Sequence, residues 1–196
     1  MKKYSPLAAH PFKANTSFVR PAQQLPERVS LEDPAFSVMT DLKVVSVINV
    51  RAKTSMDRAN AKMIRYGVRM LLVLDDSDYV VGLVTATDIL GEKPIRFLQH
   101  MGGTHADIMV RDVMTTQREL EVMMLPDVAQ AKIGHVLASL KKANRHHAIV
   151  VEQNADGTQM VRGLFSVTQI ARQLGLQVQA GDVAQIFAKI EEMPGV

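Results

Sequence analysis

The residues best suited to binding chemistry are Thr85 and Asp88, which lie three positions apart after an apolar stretch. If Thr85 begins a helix, its hydroxyl and the free backbone N–H groups of the first turn favour a phosphate. The Asp88 carboxylate can accept hydrogen bonds from two neighbouring hydroxyls, such as those of a ribose. The same spacing forms a helix capping box, so both residues can also serve only to start a helix. The residues alone leave both roles open.

The segment that contains this pair occurs twice. The sequence GLVTATDI at 82–89 returns as GLFSVTQI at 163–170. Other repeated segments lie upstream, pairing 38–40 with 113–115 and 71–74 with 148–151. A duplication of this length predicts two supersecondary units packed together. Ser166 keeps the capping hydroxyl but Gln169 replaces the carboxylate, so ribose binding is predicted at Asp88 and not at Gln169.

Composition excludes several classes of protein. The chain of 196 residues is 47% hydrophobic, which fits one globular domain or two small ones. It has no Cys, so disulfides and thiolate metal sites are excluded. A net charge of +3 spread along the chain and an aromatic content of 5% argue against a nucleic-acid partner and suit a small anionic ligand. No apolar run approaches the roughly 20 residues of a membrane helix, and no secretory signal opens the chain, so a cytoplasmic protein with no membrane partner is predicted.

The sequence divides into five parts. They are a Pro-rich arm at 1–34, a first unit at 35–98, a linker at 99–106, a second unit at 107–174 and a tail at 175–196 with a short helix. The arm is predicted to be extended unless it docks on the rest of the chain. The tail helix presents one apolar face, which must cover another surface.

Each unit carries signals in the order strand, helix, strand, strand, helix. In the first unit a strand is predicted at 44–50, then a helix capped at Thr54. Met56, Met63 and Ile64 are predicted on one side of that helix. In the second unit a strand is predicted at 120–125, and the following helix has a buried face made of Ile133, Val136, Leu137 and Leu140. Hairpin turns are predicted at 75–79 and around 154–157.

Three segments resemble the start, middle and end of a CBS domain, the module named after cystathionine β-synthase. They are VRDVMT at 110–115, HAIVV at 147–151 and GLVTATDI at 82–89. Together the two units resemble a tandem CBS pair, or Bateman module, over about 35–174. The resemblance implies an α/β fold in which two β-α-β-β-α units pack sheet to sheet with pseudo-twofold symmetry and leave two clefts between them.

The resemblance also implies a function. Clefts of this family often bind adenine nucleotides or related adenosyl ligands and pass the signal to a partner or an attached domain. The ligands expected here are AMP, ADP, ATP or S-adenosylmethionine, with Asp88 on the ribose and Thr85 near the phosphate. A disc-like homodimer is expected by the same resemblance, and an unidentified protein partner would receive the signal.

Two other classes of function make different demands on the sequence. In an interaction module the clefts stay empty and the Pro-rich arm or the tail helix binds a partner; the missing acid at Gln169 favours this alternative. An enzyme is not predicted, because the chain shows no Ser-His-Asp order, no metal-ligand spacing and no Gly-rich phosphate loop. Two linker histidines, His100 and His105, lack a paired carboxylate and are not predicted to bind metal.

The candidate ligand-binding residues form three groups. Strand-edge contacts to an adenine ring are expected from Ser46, Val47 and Ile48. Residues beside the cleft-lining strands are Arg69, Met70, Arg145, His146 and His147. The helix starts contribute Thr85, Thr87, Asp88 and Ser166. The basic residues of the second group can reach a phosphate, but the cations at 141–147 are also favoured at a helix C-terminus without any ligand.

Overall fold

The computed structural model describes residues 11, 13, 22–177 and 183–192. The strands are β1 Thr40–Asp41, β2 Asn49–Arg51, β3 Met70–Leu74, β4 Val80–Thr85, β5 Thr115–Thr116, β6 Val122–Met124, β7 His147–Gln153 and β8 Gln159–Ser166. The α-helices are α1 Met56–Tyr66, α2 Ala86–Leu90, α3 Lys93–Met101, α4 Val110–Val113, α5 Leu125–Gln130, α6 Ile133–Lys142, α7 Val167–Gln173 and α8 Val183–Glu191. Short 3-10 helices cover Ala35–Val38, His105–Asp107 and Gln117–Glu119. Most of the arm before residue 22 lies outside the described residues.

Two four-stranded mixed sheets form the centre of the fold, which confirms the predicted α/β class. The first sheet has the order β2-β3-β4-β5 and the second has the order β1-β8-β7-β6. Apolar side chains of both sheets meet in a shared cluster that includes Leu72 and Leu83 from the first sheet and Ile149 and Val151 from the second. Helices cover the outer face of each sheet over separate clusters. The sheets therefore pack face to face, as the resemblance implied.

The two units exchange their opening segments. Strand β1 pairs antiparallel with β8 of the second unit, and β5 pairs antiparallel with β4 of the first. The repeated VMT sequence at 38–40 and 113–115 thus completes the sheet of the opposite unit in both copies. Asp41 stabilises the pairing of β1 with β8, because its carboxylate accepts hydrogen bonds from the Arg162 guanidinium of β8. That guanidinium lowers the pKa of the Asp41 carboxyl.

Two repeated glycines make room for the exchanged segments. A Cβ added at Gly82 would lie 2.4 Å from the carbonyl oxygen of Thr115, and one added at Gly163 would lie 2.5 Å from the sulfur of Met39. Both distances are shorter than real Cβ contacts, so an added side chain would force a shift at each position, of backbone at 82 and of the Met39 side chain at 163. The glycine that opens the GLVT and GLFS motifs is therefore explained by packing between the units.

We expect Gly82→Ala to destabilise the fold more than Gly163→Ala. The added methyl at position 82 meets backbone, which cannot move without breaking the β4–β5 pairing, whereas at 163 it meets the flexible side chain of Met39. A loss of about 1–3 kcal/mol is expected for Gly82→Ala. Urea unfolding of both variants measures the difference. Equal losses of unfolding free energy in the two variants would contradict the conclusion that the Thr115 backbone yields less than the Met39 side chain.

The predicted strand at 44–50 is wrong for most of its length. Residues Asn49–Arg51 form β2, while the chain turns after Asp41, whose carbonyl accepts from the N–H of Val44 and of Val45. The reason is the exchange: β1 lies in the second sheet and β2 in the first, so the intervening residues must cross between sheets. Local β-propensity could not override that requirement.

The helices differ from the predictions in two places. Helix α1 follows Ser55 instead of Thr54, and it buries Met56 and Met63 while Ile64 is 75% exposed. The first three residues of the predicted linker at 99–106 belong to α3, which ends at Met101 and is capped by Gly102. The predicted buried face of α6 is confirmed, because all four of its apolar residues are at most 3% exposed.

The second unit is covered by both ends of the described chain. In the arm, the backbone N–H of Val29 donates to the carbonyl of Gln173, and the Gln173 amide donates to the carbonyl of Pro26. Helix α8 packs on α7 and buries Ile186 and Phe187. The predicted tail helix is thus confirmed and the surface it covers is identified. No helix in the described ranges is long and apolar enough to cross a membrane.

The helical layer of the first unit has no such cover among the described residues. Leu90 of α2 is 70% exposed, whereas Ala171, its counterpart in the repeat, is fully buried under α8. Ile64 of α1 and Ile95 of α3 are also largely exposed. Within residues 22–177 and 183–192, the pseudo-symmetric molecule therefore has one covered and one open helical face.

Candidate ligand clefts between the two units

Two cavities lie at the interface of the units, each bounded by residues of both. The first cleft, of about 330 Å³, is lined by Leu83, Thr85, Thr87, Asp88, Thr115, Leu120, Glu121, Val122, Met123, Ser139, Leu140, Ala143, Asn144, Arg145, His146, His147, Ala148 and Ile149. The second cleft, of about 320 Å³, is lined by Thr40, Leu42, Ser46, Val47, Ile48, Gly67, Val68, Arg69, Met70, His147, Leu164, Phe165, Ser166, Thr168, Gln169 and Arg172. Both volumes fall within the range of small-molecule sites.

The structure divides the predicted residues between these clefts. The first cleft receives Thr85, Thr87, Asp88, Arg145 and His146. The second receives Ser46, Val47, Ile48, Arg69, Met70 and Ser166. His147 lines both. The strand-edge residues chosen for the adenine ring thus lie in a different cleft from Asp88, and the two groups cannot contact one ligand in the way that the sequence suggested.

Asp88 forms the predicted capping box with Thr85. Its Oδ2 accepts from the Thr85 backbone N–H at 2.8 Å and from the Thr85 hydroxyl at 2.7 Å. In return the Asp88 N–H donates to the Thr85 hydroxyl at 3.2 Å. The carboxylate side chain is 13% exposed and lines the first cleft. Capping and a place in the cleft therefore occur together, because only one of the two carboxylate oxygens is used by the cap.

The second oxygen of Asp88 is held by Lys93. The ammonium lies 2.7 Å from Oδ1 and also donates to the carbonyl of Val113 at 3.0 Å. Lys93 thereby ties α3 to the carboxylate and to the exchanged segment of the second unit. Three of the roughly four lone-pair positions of the carboxylate are occupied. A ligand hydroxyl would take the remaining position and compete with the ammonium for Oδ1.

The matching position of the second cleft is built differently. Ser166 caps α7 weakly, accepting from the Gln169 N–H at 3.5 Å. The Gln169 amide does not return to the cap. It donates to the carbonyl of Val38 at 3.5 Å and to the Gln173 side chain at 3.3 Å. The second cleft therefore has no carboxylate at this position, and the Gln169 amide that replaces it is hydrogen-bonded to residues other than the capping serine.

Basic and imidazole side chains lie at the junction of the clefts. Arg145 is oriented by a hydrogen bond of 3.1 Å from its Nη2 to the carbonyl of Glu119. His146 and Arg69 are equivalent positions, since their carbonyls accept from the first N–H of α7 and of α2 respectively. Burial, followed by the charge of Arg69, lowers the pKa of His146. The imidazole is thus favoured in its neutral form.

His147 is the residue shared by the two clefts. Its Nδ1 atom is fully enclosed and has no hydrogen-bond partner among the described residues. Burial lowers the pKa of His147 to about 4, and the neighbouring His146 and Arg69 act in the same direction, while Asp88 opposes them. The imidazole is therefore neutral at pH 7, and protonating it inside the fold is unfavourable.

This shift predicts a pH dependence of stability. Between pH 6.5 and about 4 the unfolded chain binds a proton at His147 that the folded protein excludes, so the free energy of unfolding falls as the pH is lowered. The loss is expected to reach up to about 3 kcal/mol by pH 4. Urea unfolding of the wild type and of His147→Asn across this range measures it. The prediction fails if both proteins lose stability equally, since the variant has no imidazole to titrate at that position.

Several cleft residues were not found from the sequence. The first cleft uses residues 120–123, which correspond in the repeat to 47–50 and so overlap the Ser46–Ile48 edge of the second cleft. Aligning the two repeats would have found them, because the alignment maps the candidate strand edge of the first unit onto the second unit. Lys93 and Arg172 carried no motif signal. Their positions follow from helix packing, which the sequence does not reveal.

The histidines of the linker region have separate partners. The His100 Nδ1 lies 2.7 Å from the Arg96 carbonyl, and the His105 Nδ1 lies 3.5 Å from the Asp57 carboxylate. Within the described ranges, no three His, Cys, Asp or Glu side chains converge as metal ligands do.

Comparison with known proteins supports the fold and matches the first unit to a family. A model of the CBS domain matches residues 35–94. No curated protein matches the chain significantly. The second unit repeats the fold of this matched segment, so the chain has the architecture of a tandem pair of CBS domains.

Solved structures show the same architecture. A conserved protein of Pyrococcus horikoshii has 23% identity and a TM-score of 0.54, with 78% of this chain and 100% of that chain covered. The CBS domain of a bacterial CNNM/CorC family Mg²⁺ transporter has 18% identity and a TM-score of 0.51, covering 76% and 80%. A CBS domain protein of Thermoplasma acidophilum has 17% identity and a TM-score of 0.50, covering 79% and 78%. At these identities the likeness supports the fold.

Proposed function

We propose that this protein is a non-enzymatic regulatory module of the cytoplasm that binds an adenine nucleotide or a related adenosyl ligand in the first cleft. The observation that carries the proposal is the convergence of three kinds of group on one cavity of about 330 Å³. Asp88 supplies a hydrogen-bond acceptor, Arg145 supplies a cation, and residues 120–123 supply a strand edge. These are the groups that a ribose, a phosphate and a planar base require.

The acceptor is suited to a ribose because it is fixed before the ligand arrives. The cap to Thr85 and the ion pair to Lys93 hold the Asp88 carboxylate in one orientation. One ribose hydroxyl can donate a charge-assisted hydrogen bond to the position that remains on Oδ1. Preorganisation of this kind reduces the entropy lost on binding.

The opposite wall suits the base and the phosphate. Leu83 and Ile149 provide apolar surface beside the backbone of residues 120–123, which can hydrogen-bond the edge of a purine. Arg145, positioned by the Glu119 carbonyl, presents the rest of its guanidinium to a phosphate. AMP, ADP, ATP and S-adenosylmethionine all carry the adenosine part that this arrangement recognises.

We expect Asp88→Asn to weaken nucleotide binding at least about tenfold, because a charged acceptor contributes on the order of 1.5–3 kcal/mol. Calorimetric titration with AMP, ADP, ATP and S-adenosylmethionine measures the change. Asp107→Asn is the matched control, since Asp107 caps Thr104 at the same distances of 2.8 and 2.7 Å but lines neither cleft. Binding that survives Asp88→Asn unchanged would remove Asp88 from the site.

A second candidate function is an interaction module that forms a homodimer without a ligand. The observation that favours it is the open helical layer of the first unit, where Ile64, Leu90 and Ile95 are exposed. In the second unit the equivalent surface is covered by α8, and Lys141 there pairs with Glu191. A second copy of the chain placed on the open layer would cover these apolar side chains by twofold symmetry.

We expect Leu90→Glu to weaken such a dimer at least about tenfold, because a carboxylate would lose its hydration in the contact. Light scattering coupled to gel filtration, over a dilution series, measures the association. Met160→Glu is the control, since Met160 is 62% exposed but lies on the β7–β8 hairpin and not on the helices. A wild-type protein that is monomeric throughout the series, or equal effects of both variants, would remove the open layer as the dimer surface.

A further inference from the structure

We propose that Lys93 is a latch on the first cleft, which a ligand hydroxyl releases from the Asp88 carboxylate. Release frees the start of α3 and the exchanged segment of the second unit, so that both respond to the occupancy of the cleft. The inference rests on the function proposed above and names how that site is regulated. Lys93 lies outside the lining of both clefts and acts through Asp88, so it is a positioning residue.

The Lys93 ammonium connects three elements. It lies 2.7 Å from Oδ1 of Asp88 on α2, 3.0 Å from the carbonyl oxygen of Val113 at the end of α4, and 3.4 Å from the hydroxyl oxygen of Thr115 on β5. An ammonium has three N–H groups, so these acceptors use all of its donors. Two of the three acceptors belong to the segment that the second unit contributes to the first sheet. One side chain therefore joins the carboxylate of the cleft to the exchange.

The second unit holds the equivalent carbonyl in a different way. Val38 corresponds to Val113 in the repeat, and its carbonyl accepts directly from the Gln169 amide at 3.5 Å. That contact joins the helix start to the exchanged segment through uncharged groups, with no intermediate side chain. In the first unit the same connection passes through the Lys93 ammonium. A change at the Asp88 carboxylate therefore reaches Val113 by a charged route that has no equivalent at Gln169.

A ligand hydroxyl on Oδ1 weakens the ion pair of Asp88 with Lys93. The hydroxyl shares the negative charge of that oxygen and lowers the attraction that remains for the ammonium. Oδ2 still accepts from the N–H and the hydroxyl of Thr85, so the carboxylate keeps its orientation when Lys93 leaves. The Lys93 side chain is 42% exposed, so water can solvate the departing ammonium. Displacement therefore costs less than breaking a fully buried ion pair.

The two elements that Lys93 anchors lie at opposite sides of the signal. Lys93 is the first residue of α3, whose Ile95 is 60% exposed and belongs to the open helical layer. Thr115 pairs with β4 and lines the first cleft. Phe97 and Leu98 still pack α3 on the first unit when the ion pair is lost. Release therefore increases the local opening of α3 and β5 without unfolding the core.

Thermodynamic linkage fixes the sign of the effect on affinity. If a ligand weakens the ion pair of Asp88 with Lys93, the ion pair weakens the binding of that ligand by the same factor. Removing the ammonium therefore tightens binding at Asp88. Removing a residue that only supports the fold, or only orients Asp88, weakens binding instead. The direction of the change in affinity separates these roles.

Calorimetric titration of the full chain with adenosine, which has the ribose and no charge, tests the latch. We expect Lys93→Met to tighten binding at least about fivefold. Lys93→Arg keeps the cation, so its affinity should stay closer to that of the wild type. Lys53→Met is the control for net charge, because Lys53 pairs with Asp76 in the same unit and lines neither cleft. It should leave the affinity unchanged within twofold.

Hydrogen exchange of backbone amides gives a second measurement, and its first arm needs no variant. In the wild type, saturating adenosine should speed exchange at 93–101 and 115–116, because the ligand releases the anchor of both segments. In Lys93→Met the faster exchange should be present before adenosine is added, and the ligand should change it little. Lys53→Met should behave as the wild type does.

The outcomes separate the latch from the proposed function. The latch is overturned if Lys93→Met binds adenosine with the wild-type affinity or more weakly, or if adenosine slows exchange at 93–101 of the wild type. Those results leave the proposed function standing, because adenosine still binds. Failure of both the wild type and Lys93→Met to bind at millimolar concentration overturns the proposed function and the latch with it. Binding to Lys93→Met alone supports the latch and shows that Lys93 is autoinhibitory.

Discussion

The exchange of the opening segments between the two units is the constraint on which the rest of the structure depends. Each VMT segment completes the sheet of the other unit, and each crosses at a glycine where a side chain would collide with it. Because both sheets are completed in this way, neither unit can form its full sheet alone. The exchange also fixes the relative position of the units, and with it the two clefts.

The two clefts are related by the pseudo-symmetry of the units, but their lining side chains differ. In each, a helix start of one unit meets a strand edge of the other. Small differences between the copies give the two clefts different linings. Asp88 becomes Gln169, and the second cleft gains Arg172, so the first cleft is lined by carboxylates and the described lining of the second has none. His147 borders both, which places one neutral imidazole between two clefts of different charge.

Much of the fold could be predicted from the sequence, and the failures share a physical cause. Apolar periodicity correctly predicted the buried face of α6, and the spacing of Thr85 and Asp88 correctly predicted the cap, because both depend on residues within one or two turns. The strand at 44–50 was wrong because the chain there must cross between sheets. Ile64 was predicted on the same side of its helix as Met56 and Met63, but it is exposed, because among the described elements the covering helix α8 packs on the second unit.

The sequence by itself determined the duplication, the family resemblance and the loss of a carboxylate in the second copy, because these are properties of residue type and spacing. The tertiary structure alone decided which residues share a cleft. It placed Ser46–Ile48 with Arg172 and set Asp88 against residues 120–123. It also placed Lys93 on the Asp88 carboxylate. The physical reason is that each cavity is built from two units far apart in the chain, so its composition depends on how the sheets pack.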